Sequence, residues 1–452
     1  MSTAAGAILP TKPAAPLNFP PNHPAGSQVM GGDEVIPPIQ PGLIMPTILG
    51  NGALFKFGVK GGDLDKVFHF FEDEIRRSPE AIGAQMDLAL LHLLRHNRDQ
   101  AYQVQARALE RQQLFRVVGS AGKELPARRR VLALMAPGDF TNNAQLEFIL
   151  DGGDVGLDAL YIVPGQPLPA ALPDHDVAFC AVNESDENLP ILRRLSGLLA
   201  RWPRPVLNRP ERVARLSRNG VAELLEGADE VCVPQINRVP IADLRFIASG
   251  AVALDDLLPD ICYPILVRPV GSHGGKNLIK INEAEGLATC LLRFEGRVEE
   301  FFVSPFFDYR RVDGFFRKYR IVFFEGKPFL CHVAISRQWM VHYLSAGMAE
   351  DASKRAEEAL AMHTFERAFA RRHQTALNAI SERLGLDYFV LDCGELPDGR
   401  LLFFEADIAM VIHSIDSPTI FPYKPAQMAK VFAAFRAMID RRSSRPAGSK
   451  AG

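Results

Sequence analysis

Residues 387–407 read "DYFVLDCGELPDGRLLFFEAD". Two apolar runs flank Pro397-Asp-Gly399, a tight-turn signal, so the segment is predicted to be a β-hairpin. Residues two apart in an extended strand face the same way, which sets Glu405 and Asp407 side by side. The turn brings Asp392, at the end of the partner run, to the same end of the hairpin. Carboxylates this close repel unless a cation lies among them. An all-oxygen set of this kind suits magnesium held against phosphates and is a poor match for zinc. On "LLFFEADIAM" (401–410) alone, a strand end with both acids in water explains the pattern equally well, so the rest of the chain has to decide.

Upstream, "RKYRIVFFEGKP" (317–328) places Lys318 and Arg320 on one strand face at the same two-residue spacing, with "FEGKP" as a hairpin turn. Arg320 can grip a transferring phosphoryl group with two parallel bonds; the plainer reading is a solvated edge strand. Further upstream, "RPVGSHGGKN" (268–277) ends a strand in the cation Arg268 and then turns through Gly271, Ser272, Gly274, Gly275 and Lys276. Glycines let backbone amides approach a phosphate chain closely. The spacing is neither that of a P-loop nor that of a dinucleotide fingerprint, and an ordinary glycine-containing hairpin turn also fits.

Between 131 and 225 the rhythm is strand and helix in alternation. "VLALMA" (131–136), "DALYIV" (158–163) and "DVAFCAV" (176–182) are short apolar strands, a helix covers 189–199, and "RPVLNRPERVARLSRNGVAELL" gives a strand, Asn208 as N-cap and a helix. This order implies right-handed β-α-β units and a parallel sheet. Residues 63–118 show helical spacing at Val67, Phe70, Phe71, Met86, Leu88, Leu91 and Leu94, and resemble a tetratricopeptide-like hairpin. A helical stretch is expected over 349–384 and a last helix over 424–441. Residues 1–45, rich in Pro, Gly and Ala, are expected to form a disordered tail.

The chain has 452 residues, which predicts more than one domain. Its 47% hydrophobic and 23% charged content is that of a globular protein, and a net charge of -2 gives no electrostatic argument for nucleic acid or an anionic membrane. The six cysteines form no C-x-x-C pair, which argues against zinc or a disulfide framework and fits a reducing, cytoplasmic setting. No signal peptide or membrane-spanning run is read.

Taken together, the glycine-rich hairpin, cation-bearing strand, long helix and Asp-hairpin-Glu-x-Asp resemble the ATP-grasp superfamily, in particular ribosomal-protein glutamate ligases, glutathione synthetases and D-alanine ligases. The resemblance covers about 131–441, with specific motifs in 204–415. It implies an α/β fold in which a parallel pre-ATP-grasp subdomain (129–212) joins two α+β subdomains clasping ATP (213–441). A helical extension (46–122) would precede them and a short tail (442–452) follow. ATP and magnesium, as two ions, are the implied cofactors, with Asp392, Glu405 and Asp407 on the metal. Arg320 would meet the transferred phosphate, Lys318 and the glycine loop the phosphate chain, and Ser304, Phe306 and Phe307 the adenine. Asp308 or Asp313 would reach the ribose. The chain departs from the family pattern at Arg218 and Arg268, where lysines are usual, at Asp407, where asparagine is usual, and at Pro305 in the hinge. Arginine keeps the charge and changes its geometry.

Arg310, Arg311, Arg317, His332, Arg337, Trp339, His342 and Tyr343 cluster between these motifs and His413 lies beyond the acids, with Arg337 and His413 the candidate catalytic side chains and His332 also readable as a core histidine. The resemblance implies an ATP-dependent carboxylate-amine ligase. The alternatives are a phosphotransferase and a non-catalytic scaffold docking through 63–118. Expected partners are a small-molecule or peptide carboxylate and an amine, with a homodimer by resemblance only, and neither nucleic acid nor membrane.

Overall fold

The computed structural model describes residues 34–119, 122, 126–272 and 275–443. Most of the expected N-terminal tail, residues 444–452 of the C-terminal tail and Gly274 of the glycine loop lie outside the described residues.

A mostly parallel α/β unit and two mostly antiparallel-sheet units with helices make up the described residues, the combination expected. The first sheet has six strands, in the order Thr47–Ile48, Leu114–Val117, Val155–Tyr161, Arg129–Met135, Val177–Cys180, Val206–Leu207. Only the pairing of Leu114–Val117 with Val155–Tyr161 is antiparallel. Leu132, Leu134 and Phe179 are fully buried, which is why these strands read as unbroken apolar runs. From the central strand Arg129–Met135 the chain steps to one side and then crosses to the other. A topological switch therefore lies at the carboxyl ends of Arg129–Met135 and Val177–Cys180, where open α/β sheets bind ligands.

The second sheet has four antiparallel strands, Asn237–Pro240, Glu300–Pro305, Ile265–Pro269 and Ile279–Ile281, over its own core of Val239, Leu244, Ile247, Ile265, Val267, Phe301 and Val303. The third has five, in the order Lys327–Ser336, Phe316–Phe324, Tyr388–Glu395, Leu401–Asp407, Val231–Cys232. It shares one core with the six-stranded sheet. Phe435, in the helix Lys424–Ser443, stands 6.2 Å from Phe179 of the first sheet and 5.5 Å from Phe324 of the third, ring centre to ring centre. The boundary expected at 212 thus runs through a continuous core, while 237–305 packs separately.

Three expectations change. Residues 34–45 do not belong to a tail: Ile39–Gln40 pairs in parallel with Leu172–Pro173, and Glu34 accepts from Arg194 Nε at 3.0 Å. The prolines that argued for disorder are satisfied by an edge pairing that asks little of the segment's own donors. The helices of 46–122 are not an extension, because Thr47–Ile48 and Leu114–Val117 on either side of them are strands of the first sheet. Two- and four-residue strands are too short to show a period of two. Asn208 is no N-cap either. It is buried at φ 56°, a left-handed conformation that asparagine tolerates, and its amide brackets the backbone of Tyr388 with two bonds of 2.9 Å.

No helix among the described residues is long and apolar enough to cross a membrane.

The helix Asn51–Val59 begins against two carboxylates, the buried Asp87 and the half-buried Glu147. Asp87 accepts from the backbone of Leu49 at 2.8 Å and Gly50 at 3.0 Å, and Glu147 accepts from Gly52 at 2.6 Å. Gly50 has φ 83°, and a Cβ there would fall 2.5 Å from Glu147. Burial raises both acids to about 7 despite these bonds. The folded state therefore binds their protons more tightly than the unfolded one, and the resulting stability, complete below the unfolded values, is lost as pH rises through 7. Urea denaturation is expected to show these two acids lowering stability between about pH 4 and pH 7, with Asp87→Asn reducing that slope by up to about 1.4 kcal/mol per pH unit. An unchanged slope in the variant would contradict this reading.

Candidate functional site

The polar residues singled out in the hairpins meet on one face of the five-stranded sheet. Glu405 stands opposite Asp392, Asp392 opposite Arg320, and Arg320 opposite His332. Cross-strand partners share a face, so these four form a single row across four strands, spaced by roughly 5 Å per strand. Asp407 and Lys318 lie on the same face, two residues along their strands. The register shifts beside both Arg320 and Asp392, and a bulge of this kind re-aims side chains next to a site.

Asp392 is fully buried and both its oxygens are taken. Lys318 Nζ donates at 2.9 Å, Arg320 Nε at 2.8 Å and a second Arg320 nitrogen at 2.9 Å. Burial alone would raise its pKa, but Arg320 and Lys318 outweigh that and hold it far below the usual carboxylate range. Glu405 pairs with Arg218 at 2.5 Å, from the helix Arg218–Leu225. Burial opposes its charge as well, and Arg218, Arg268 and Lys318 nonetheless hold it down at about 2. Asp407 accepts from the backbone amides of Ala409 and Met410 and, at 3.2 Å, from the side chain of Asn183. Asn183 sits in the loop after Val177–Cys180, so the topological switch of the first sheet opens onto the carboxylates of the third.

The four-stranded sheet contributes Arg268 and the glycine hairpin. Arg268 is buried and donates to Ser272 Oγ at 3.2 Å and to the Ser272 carbonyl, which fixes the start of the loop. Burial and the nearby Arg218 press its pKa down, while Glu405 opposes them. Gly271 and Gly275 have φ 76° and 73°, a region that favours glycine. Burial and Arg98, on the helix Arg98–Arg111, lower the pKa of Lys276, which brings this loop to the N-terminal helices. Ser304 and Pro305 end the strand Glu300–Pro305, and Phe306 begins the crossing to the third sheet. Phe306 carries Lys280 3.6 Å above its ring and Trp339 at its edge. Its neighbour Phe307 packs against the shared core. Asp308 pairs with Arg310 at 2.7 Å, and Asp313 with Arg317.

Of the two candidate catalytic side chains, His413 lies beyond the strand end at Asp407, within electrostatic reach of Arg320. Burial, Lys424, Arg320 and Lys56 together hold the pKa of His413 at about 4 against the pull of Asp416, so the imidazole is neutral at physiological pH. Arg337 is elsewhere. It follows the strand end at Ser336, opposite Phe316, and its guanidinium lies 4.4 Å above Phe315. That is four residues or more from Arg320 along the strand, roughly 13 Å. His332 is half-buried in the row, and burial, Arg320 and Lys424 keep it neutral.

Sequence reasoning missed the network beyond His332. Glu358 is fully buried and accepts from Tyr423 at 2.6 Å, Tyr343 at 2.9 Å and the Val333 amide at 3.1 Å. Lys424 is buried beside it, donating to Tyr343 at 2.5 Å and Asp416 at 2.9 Å. The available signal was Glu358 sharing a helical stripe with the buried Met362 and Phe365. Glu184, next to Asn183, was also missed: burial, Asp186 and Asp407 raise it to about 7.

Among the described residues no three His, Cys, Asp or Glu side chains are gathered closely enough to cage a metal. The donors still fit magnesium, which takes one or two carboxylates and completes its shell with water and phosphate oxygens. A cavity of about 750 Å³ lies at the opposite, amino end of the parallel strands, lined by Arg116, Arg128, Arg129, Arg130 and Arg204. Those arginines are paired with Asp158, Asp154, Asp440, Asp176 and Asp174. It is separate from the row.

No family model matches the chain, and no curated protein sequence does. Among solved structures it is similar to the VanG D-Ala:D-Ser ligase of Enterococcus faecalis, at 12% identity over 69% of this chain and 99% of that one, TM-score 0.43. It is also similar to a RimK domain ATP-grasp protein of Sphaerobacter thermophilus, at 16% identity over 68% and 98%, TM-score 0.38. A third is the D-alanine-D-alanine ligase of Coxiella burnetii, at 11% identity over 70% and 96%, TM-score 0.43.

Removing the carboxylate of Glu358 leaves Lys424 and two tyrosines without their shared acceptor. Glu358→Ala is expected to cost about 3–5 kcal/mol in urea denaturation. A loss below about 1 kcal/mol would show that the network adds nothing to stability.

Proposed function

We propose that the chain is an ATP-dependent carboxylate-amine ligase that works through an acylphosphate and requires magnesium. The observation that carries this reading is the row Glu405, Asp392, Arg320, His332, with Lys318 on the same face and Arg218 and Arg268 brought over it from two other elements. Carboxylates and guanidinium groups side by side on one face are what a metal-bound polyphosphate requires: oxygen donors for the ion and fork-shaped donors for the phosphates.

In this reading the nucleotide lies between the four-stranded and five-stranded sheets. Backbone groups of Ser304 to Phe307 contact the adenine, Asp308 reaches the ribose, and amides of the glycine loop with Lys276 cover the phosphates. Arg218 and Arg268 hold the phosphate chain; their arginine geometry in place of the lysines usual in the resembled family favours two-pronged contacts. Glu405, Asp407 and Asp392 hold magnesium, which when bound offsets phosphate charge as a Lewis acid. Arg320 and Lys318 donate to the transferred phosphoryl group, whose charge spreads over its oxygens as the substrate carboxylate attacks. An amine then displaces phosphate from the acyl carbon. Neutral His413 adds no charge and acts by positioning, which does most of the work in such transfers. Asn183 and Glu184, at the switch of the α/β sheet, form the substrate side of the cleft.

The scaffold reading would dock through helices that keep exposed faces, Phe70 among them, but it gives no use to the row of charges on the five-stranded sheet. A phosphotransferase would share the nucleotide site and yield a phosphorylated product with no amine dependence.

The test is ATP consumption with magnesium against pooled amino acids and short peptides, with mass spectrometry of the products. ADP release tied to a new amide, lost on chelating magnesium and reduced about 100-fold or more in Glu405→Gln, is expected. A stable phosphorylated product without amine dependence would replace the ligase reading with the phosphotransferase one.

A further inference from the structure

The carboxylates and cations assigned to metal and phosphate are bound to each other within the chain. Asp392 holds Lys318 and Arg320 through three bonds of 2.8–2.9 Å, and Glu405 holds Arg218 at 2.5 Å. A metal on these acids displaces the cations; a phosphate on these cations deprives the acids of their counter-charge. Asp392 has no exposed surface, and Lys318, Arg218 and Arg320 keep only 14–20% of their side-chain surface exposed, so water does little to compensate a partner left behind. Both exchanges together leave every charge matched.

We propose that divalent ion and triphosphate enter this site by a concerted exchange of partners: Lys318, Arg320 and Arg218 pass to phosphate oxygens as the metal takes over Asp392 and Glu405. The proposal rests on the nucleotide reading above and adds that each ligand alone binds poorly, since it must break buried ion pairs and satisfy only half of what it breaks. The coupling is reciprocal by linkage. Free nucleotide and free metal ion each bind weakly, so the site fills mainly with the complex of the two.

Calorimetric titration of the full chain with the non-hydrolysable analogue AMP-PNP, with magnesium and with EDTA, reads one side of this coupling, and Mn²⁺ binding by electron paramagnetic resonance without nucleotide reads the other. The wild type is expected to bind metal-free AMP-PNP at least about 100-fold more weakly than the magnesium complex, and Mn²⁺ alone with a similar penalty. Asp392→Asn frees Lys318 and Arg320 in advance, and metal-free AMP-PNP should then bind about tenfold tighter than to the wild type. Simple removal of a repelling charge would also tighten binding, so the decisive comparison is the same substitution in a Lys318→Met background. Partner exchange predicts a gain several-fold smaller there, whereas repulsion alone predicts the same gain in both. An equal gain, or Mn²⁺ binding as tightly alone as with nucleotide, would overturn the proposal. If Asp392→Asn does not fold, the cycle of Glu405→Gln with Arg218→Met asks the same question. Failure of the wild type to bind magnesium AMP-PNP would overturn the nucleotide reading and the proposal with it, while binding without coupling would overturn the exchange alone.

Discussion

Asp392 is the constraint around which the C-terminal half is arranged. A carboxylate with no exposed surface survives as an anion only if its charge and both oxygens are answered from within the chain, and Lys318 and Arg320 answer them. Those two cations come from one strand, so the strand Phe316–Phe324 must lie beside Tyr388–Glu395 in a register that puts Arg320 opposite Asp392. A slip of one residue would turn the cations to the other face of the sheet and leave a buried acid alone. Glu405 is then drawn to the same face on the next strand, where Arg218 meets it, and the helix Arg218–Leu225 is tied to the sheet by that contact. The row therefore fixes the register of three neighbouring strands of the sheet.

The way the cores divide gives this row its setting. The five-stranded sheet and the α/β unit are fused by Phe179, Phe324, Tyr388 and Phe435, so Asp407 and Asn183 face each other across a fixed distance. Residues 237–305 pack on a core of their own and rejoin through the short run after Pro305. A unit with its own core and few tethers is the part free to move as a body. The glycine loop rides on it.

Much of this could be read from the sequence, for identifiable reasons. The hairpin at Pro397-Asp-Gly399, with Gly399 at φ 90°, and the turn at Glu325-Gly326, left-handed at φ 46° and 83°, carry local chemistry that tertiary context did not override. Glu405, Asp407, Lys318 and Arg320 were found because a period of two fixes their face whatever the sheet's order. The strands Thr47–Ile48 and Leu114–Val117 were not, since so few residues carry no period and the helices between them carry a strong one. Asn208 reads as a cap by position, but its bonds go to Tyr388, 180 residues later. Glu358, Lys424 and Tyr423 converge from distant segments, and a carboxylate on a helix is equally compatible with a solvated face until its stripe is known to be buried. Arg337 was grouped with the site by sequence proximity, and the structure carries it to the far end of its strand.

In the proposed reading the row between the four-stranded and five-stranded sheets, and not the arginine-lined cavity at the other end of the α/β unit, receives a metal nucleotide. Hydrogen exchange of the full chain with and without magnesium AMP-PNP tests it most directly. Slowed exchange is expected in 265–281, 300–308 and 388–410, with little change elsewhere. Protection confined to the cavity lined by Arg116 and Arg128–Arg130, or none at saturating nucleotide, would contradict it.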